Sequence, residues 1–255
     1  MISEMFAHGF IQRAFIGGVL VSLCAALLGV SLVLKRYSMI GDGLSHVSFG
    51  ALSIAIALGF APIKFSIPIV IIAAFFLLRL AENGKMKSDA AIAMVSASSL
   101  AIGVIVTSLT TGLSTDVCSY MFGSILAMSK DDVIFSVVLS VVVLIMFGFC
   151  YHRIFAVTFD ESFSKATGVK VGMYNTLISI FTAVTVVLGI KMMGAMLISS
   201  LIIFPALIAM RLQRSFSGVI IAAAITAVID FLLGLVISFL LSTPTGASIV
   251  LVNLC

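Results

Sequence analysis

The chain has 255 residues, of which 62% are hydrophobic and 9% charged, with a formal net charge of +4. That is about a third of the charge a soluble globular domain carries, and no soluble core of this length absorbs so much apolar surface. A soluble enzyme fold is thereby excluded, and so is a nucleic-acid binder, because the basic residues are dispersed singly with no aromatic platform between them.

Where hydrocarbon is the solvent, backbone polar groups must be satisfied within each segment, so the apolar stretches are expected to be helices. A barrel would show short alternating segments instead. At about 20 residues per crossing, the chain predicts an all-α, polytopic helix bundle of about eight transmembrane spans. They are Phe10 to Leu34, Leu44 to Phe60, Phe65 to Leu80, Ala90 to Leu109, Val133 to Tyr151, Tyr174 to Ile190, Gly194 to Met210 and Gly218 to Leu241. A short helix that does not cross is expected over Val117 to Met128.

The N-terminus has no basic cluster and no small-residue cleavage site, and it is read as leading into the first span rather than as a cleaved signal. Cys24, Cys118, Cys150 and Cys255 are far apart and form no CxxC pair, so they read as small apolar residues.

Ten basic residues, Lys35, Arg36, Arg79, Lys85, Lys87, Arg153, Lys165, Lys170, Arg211 and Arg214, fall in loops or at span ends on one side, and four, Arg13, Lys64, Lys130 and Lys191, on the other. The first side is therefore expected to be cytoplasmic, with both termini outside. The longest cytoplasmic loop is then Tyr151 to Met173. No linker or second domain interrupts residues 1–255, which read as one transmembrane domain. There is no GxxxxGKS/T phosphate loop and no HExxH, so the chain is read as non-enzymatic; if ATP drives it, another chain binds the nucleotide.

Ionisable groups inside apolar spans cost at least a few kcal/mol and are functional candidates by default. The most informative are in the GDGLSH segment, Gly41 to His46. Asp42 and His46 are four residues apart and share one helix face. A carboxylate and an imidazole so placed suit a first-row divalent ion such as manganese, iron or zinc. One chain supplies only these two ligands, whereas two copies about a twofold axis would supply four. The alternative is that Asp42 caps the second span and His46 hydrogen-bonds inside the bundle. His8 and His152 lie near span ends and read as interfacial residues, and Asp230, inside the last span, stands between a packing role and a path role.

Three segments together resemble the ABC transporter permeases for zinc, manganese and sometimes iron. GDGLSH resembles that family's G-D-A-L-S-H signature. Gly189 to Ala206 (GIKMMGAMLISSLIIFPA) is similar to its vG-ml-v-all-iPa stretch, with Pro205 in the matching place. Ser242 to Leu251 (STPTGASIVL) is similar to its C-terminal ending, although from the residues alone Pro244 and Gly246 read as a turn closing the last span. The chain departs from the pattern at Gly43, where the family has Ala, in Val47 to Gly50, which lacks a proline, and at Ser164, which replaces a small apolar residue.

The resemblance implies that Asp42 and His46 line a metal path at the centre of a homodimer of this chain in the bacterial cytoplasmic membrane. In the cytoplasmic loop, FDESFSKATG resembles a docking segment, about residues 159–170, that engages a cytosolic ATP-binding subunit dimer through Asp160, Glu161, Phe163, Lys165 and Gly168. From the residues alone, Asp160 is a good N-cap and Gly168 a good C-cap for two turns of helix. The further partners implied are an extracellular metal-binding protein and the lipid bilayer. The transported ion that the resemblance implies is zinc, manganese or iron, with no cofactor permanently bound and ATP expected on the partner subunit. The competing expectation is a secondary carrier or channel, with Asp42 as a proton-coupling or filter carboxylate, which needs no docking segment.

Overall fold

The computed structural model describes residues 9–82, 88–110, 130–241 and 243–254. Among them ten helices occur and no strand: α1 (Gly9–Leu34), α2 (Ile40–Ala57), α3 (Pro62–Glu82), α4 (Ser88–Leu109), α5 (Lys130–Phe159), α6 (Glu161–Ala166), α7 (Val171–Met193), α8 (Ala195–Leu212), α9 (Phe216–Leu241) and α10 (Thr245–Leu254). The eight expected spans coincide with α1 to α5 and α7 to α9. Six of these are long and apolar enough to cross a membrane, whereas α3 and α8 contain the shorter apolar stretches Pro62–Leu77 and Leu197–Leu212. The expected helix over Val117 to Met128 lies outside the described residues.

The helices sort by burial. In α1, α2 and α7, 67%, 72% and 72% of the apolar stretch is covered by protein, against 17% in α4, 28% in α5 and 33% in α9. The outer three present rows of bare apolar side chains, such as Ile102 and Ile105 on α4 and Ile134, Val138 and Phe149 on α5. Lipid solvates such rows at no cost, so the sequence has no reason to bury them. The inner helices approach through small residues: a Cβ at Gly29 of α1 would lie 1.9 Å from the backbone oxygen of Ile202 on α8, and one at Gly50 of α2 would lie 2.7 Å from that of Ser99 on α4. Packing through small residues draws helices together in a solvent that provides no hydrophobic drive for it.

Three of the differences from the sequence reading have a local cause. Helix α2 begins at Ile40 rather than Leu44, because Ile40, Gly41 and Gly43 are already buried against neighbours. Helix α5 runs eight residues past Tyr151 to Phe159, since Ile154 and Val157, both 0% exposed, continue its inward stripe beyond the charged Arg153. Pro244 and Gly246 do not close the last span in a bare turn. Thr245 opens α10, which folds back onto α9: Ser238 Oγ donates to Thr243 O at 2.6 Å, and a Cβ at Gly234 would lie 2.5 Å from Ile249 Cα.

A candidate metal path and a surface helix

Helix α2 is covered on almost every side. Gly41 lies against Ile202 of α8 and Gly43 against Ile92 of α4, where an added Cβ would come within 2.9 and 2.6 Å of their side chains. The departure from the family signature at position 43 therefore has a local cause, since Ile92 fills the space an alanine methyl would take. Through this cover Asp42 and His46 emerge half-buried, with 40% and 26% of their side chains exposed.

Asp42 sits in the first turn of α2, where the helix dipole favours a negative charge. It is not the N-cap: that position is Met39, and no side chain caps the helix. The capping alternative for Asp42 is thus removed. His46 Nε2 and Asp42 Oδ2 are 3.7 Å apart, too far for a hydrogen bond. Two donors each about 2.1 Å from one ion, at angles of about 90 to 110°, lie about 3 to 3.5 Å apart, so the pair is open by a few tenths of an ångström beyond a shared-ion geometry. Among the described residues no third His, Cys, Asp or Glu joins them.

A residue absent from the sequence reading of the site does reach it. Ser199 Oγ of α8 lies 3.3 Å from Asp42 Oδ1 and 3.2 Å from Ala195 O, its one hydroxyl hydrogen shared between the two acceptors. It is there because α7 and α8 are separated by one residue. Gly194, with φ +88° and ψ 162°, takes a conformation that L side chains rarely adopt. The chain reverses enough at this point for Ile198 to cover Gly189, within 2.3 Å of where a Cβ would stand. Met192, Met193 and Leu197 around the break are at most 1% exposed. Irregular backbone within an apolar bundle survives only where protein or a polar cavity covers it, and here it delivers the second turn of α8 to Asp42.

The other sequence candidates lie elsewhere. His152 is exposed near the end of α5, its ring edge-on to Tyr151. Asp230 lies on α9 with a buried Oδ2 that has no hydrogen-bond partner. Cys24 and Cys150 are free thiols, Cys24 buried and donating to Ser140 O at 3.5 Å. His8, Cys118 and Cys255 lie outside the described residues.

The segment after α5 is a formed surface helix. Asp160, in extended conformation, accepts from Phe163 N at 2.8 Å and so caps α6. Val169 N bonds Ser164 O and Gly168 N bonds Lys165 O, with Gly168 at φ +81°, the left-handed closure that favours glycine. Phe163 is 64% exposed and Phe159, just before the cap, 61%. Lys165 is also exposed, whereas Ser164 is fully buried with an unpartnered hydroxyl, the mark of a position that a small apolar residue would fill.

Glu161, the first residue of α6, turns inward. Its Oε1 accepts from Lys35 Nζ at 2.8 Å and from Asn175 Nδ2 at 3.2 Å, and the same ammonium donates to Asn175 Oδ1. Burial pushes the Glu161 carboxyl up, but the hydrogen bonds from Lys35 and Asn175 and the charges of Lys35 and Lys165 outweigh it. The group is left below its ordinary value.

This architecture, a multi-pass bundle with a polar pair on an inner helix and a capped helix on one end, is that of a membrane permease. The sequence profile of the ABC 3 transport family matches residues 7–255. The chain belongs to the ABC 3 transport family. It is 32% identical to a probable metal transport system membrane protein of Treponema pallidum, over 98% of this chain and 93% of that one. It is 31% identical to the high-affinity zinc uptake system membrane protein ZnuB of Buchnera aphidicola, over 93% and 91%. A chain of the structure of PsaBC from Streptococcus pneumoniae in complex with Fab superposes with a TM-score of 0.88 at 28% identity, covering 99% of this chain and 92% of that one.

Proposed function

We propose that this chain is the membrane-spanning permease subunit of an ATP-binding-cassette importer for zinc, manganese or iron, acting in the bacterial cytoplasmic membrane. The observation that carries the reading is the Asp42–His46 pair, 3.7 Å apart on a mostly buried helix and touched by Ser199. One oxygen and one nitrogen ligand from each of two copies would give a four-ligand seat for a borderline divalent cation. The single chain then offers half a site, which fits the exposure both side chains retain. The likeness to zinc and other metal transport proteins supports the same class of cargo.

In this reading ATP is bound by a separate cytosolic subunit dimer, which engages α6 through Asp160, Phe163, Lys165 and Gly168, with Glu161 facing the bundle. An extracellular protein hands over the ion, and the two permeases alternate between outward and inward opening. The whole of residues 1–255 serves as one permease domain.

The test is tracer uptake of zinc, manganese and iron by a deletion strain carrying wild-type chain or Asp42→Asn with its partners. Loss of uptake with ATP-binding subunits still copurifying is the expected result. Wild-type uptake by Asp42→Asn overturns the metal seat, and ATP-independent uptake by the wild-type chain overturns the importer.

A further inference from the structure

The coupling reading leaves open how a small surface helix could move ligands on another helix. Helix α6 packs mainly on α5 and α7, its neighbours in sequence. Its polar tie to a distant part of the chain is Glu161 to Lys35, 126 residues away. The Lys35 side chain is only 6% exposed. An ammonium this buried needs hydrogen-bond acceptors, and it has two: Glu161 Oε1 on α6, the element the coupling reading sets in motion, and Asn175 Oδ1 on α7.

Lys35 also ends α1 in a stiff way. Tyr37 N bonds Leu32 O at 2.8 Å and Arg36 N bonds Val33 O at 3.0 Å, with Arg36 in the left-handed region at φ +61°. These are the two bonds of a Schellman closure with arginine where glycine is usual. A non-glycine residue held there persists only when its surroundings over-determine the turn. Ile40 N then bonds Tyr37 O and Gly43 N bonds Met39 O, so the turn runs directly into the first turn of α2, which carries Asp42. From the ammonium of Lys35 to the carboxylate of Asp42 the path is one hydrogen-bonded turn with no slack loop in it.

We propose that Lys35 is the positioning residue that transmits movement of α6 to the Asp42–His46 helix, by holding Glu161 and Asn175 to the rigid turn between α1 and α2. This deepens, and rests on, the coupling role proposed for α6. A push on α6 then displaces the α1–α2 turn together with α6, and the pitch of α2 follows. Without the ammonium, α6 can still be engaged from the cytosol, but its displacement is no longer tied to α2.

The experiment uses the whole complex, purified from its own cells by a tag on this chain and reconstituted in liposomes, with radioactive zinc and manganese as probes. Ions moved per ATP hydrolysed are compared for wild type, Lys35→Met, Lys35→Arg and the exchange Lys35→Glu with Glu161→Lys. Methionine keeps the apolar stem, and Glu161, 40% exposed, can turn to water. In Lys35→Met, ATP hydrolysis and subunit copurification are expected to persist while ions per ATP fall about tenfold, a coupling loss in the usual range. Lys35→Arg is expected to retain most of the ratio, and the exchange to recover part of it.

A wild-type ratio in Lys35→Met overturns the proposal. So do loss of the ATP-binding subunit in that variant, which would make Lys35 part of docking, and a proportional fall of hydrolysis and transport that leaves the ratio unchanged. The wild-type arm keeps the two readings apart: if wild-type transport needs no ATP, the importer falls, whereas equal coupling in wild type and Lys35→Met removes only the role of Lys35.

Discussion

Ser199 on α8 donates to Asp42 Oδ1 on α2 across 3.3 Å, joining positions 157 residues apart. The carboxylate is thus oriented from a second helix, and in the proposed metal seat an outer partner of this kind would fix the direction in which Asp42 presents its lone pairs. Replacing Ser199 by Ala is expected to raise the zinc or manganese concentration for half-maximal uptake by about tenfold, with Ser199→Thr close to wild type. Unchanged half-saturation in Ser199→Ala would show that Asp42 needs no such support.

The contact depends on how closely α1 and α8 approach three residues further on. Gly29→Ala would place a methyl 1.9 Å from Ile202 O, a backbone atom that cannot rotate away, so the helices must part. Overpacking of this sort costs about 1–3 kcal/mol. Gly29→Ala should therefore lower the melting temperature of the detergent-solubilised complex by several degrees. Gly148→Ala, where an added Cβ meets nothing within 4 Å, should leave it unchanged or slightly raised. Equal melting of the two variants would contradict the close approach.

The spans were legible because hydrocarbon leaves the backbone few options, and the closeness of Asp42 to His46 was legible because four residues is about one turn of helix. What escaped the sequence came from positions whose meaning depends on a partner far along the chain. Ser199 is one serine among many in packed spans, and only the reversal at Gly194 singles it out. Lys35 counted as a charge that orients the chain, although its side chain is almost wholly buried. Charged residues also misled at a boundary: Arg153 marked an end for α5 that buried Ile154 and Val157 carry past.

Met39, the N-cap of α2, precedes Asp42 and His46 at spacings of three and four and so continues their side of the helix, and Met39 is 48% exposed. If two copies bring their ligand pairs to a common axis, Met39 faces its symmetry mate. In a background with the four native cysteines replaced, Met39→Cys is expected to give a doubled mass with a short bismaleimide in native membranes. Ile102→Cys, 49% exposed on the outer helix α4, is expected to stay monomeric. The reverse pattern would place the twofold contact on α4 and leave the pair on α2 without its second half.

The Lys35–Glu161 link also carries a pH signature whose sign follows from the lowered Glu161 value. A carboxyl that ionises more readily folded than unfolded stabilises the fold wherever it is ionised in both states, and that contribution fades as pH falls through the lowered folded value. The melting temperature of wild type minus that of Glu161→Gln should therefore be positive at neutral pH and hold down to about pH 5, the upper edge of the ordinary glutamate range. Below that range it should shrink towards zero as the wild-type carboxyl takes up its proton and becomes as neutral as the amide. The size of the difference at neutral pH is expected to be modest, because Glu161 remains 40% exposed and water screens the pair. A difference that persisted undiminished well below the glutamate range would mean that Glu161 acts by packing and not by charge, and the ammonium of Lys35 would then have no ionised partner on α6 to hold.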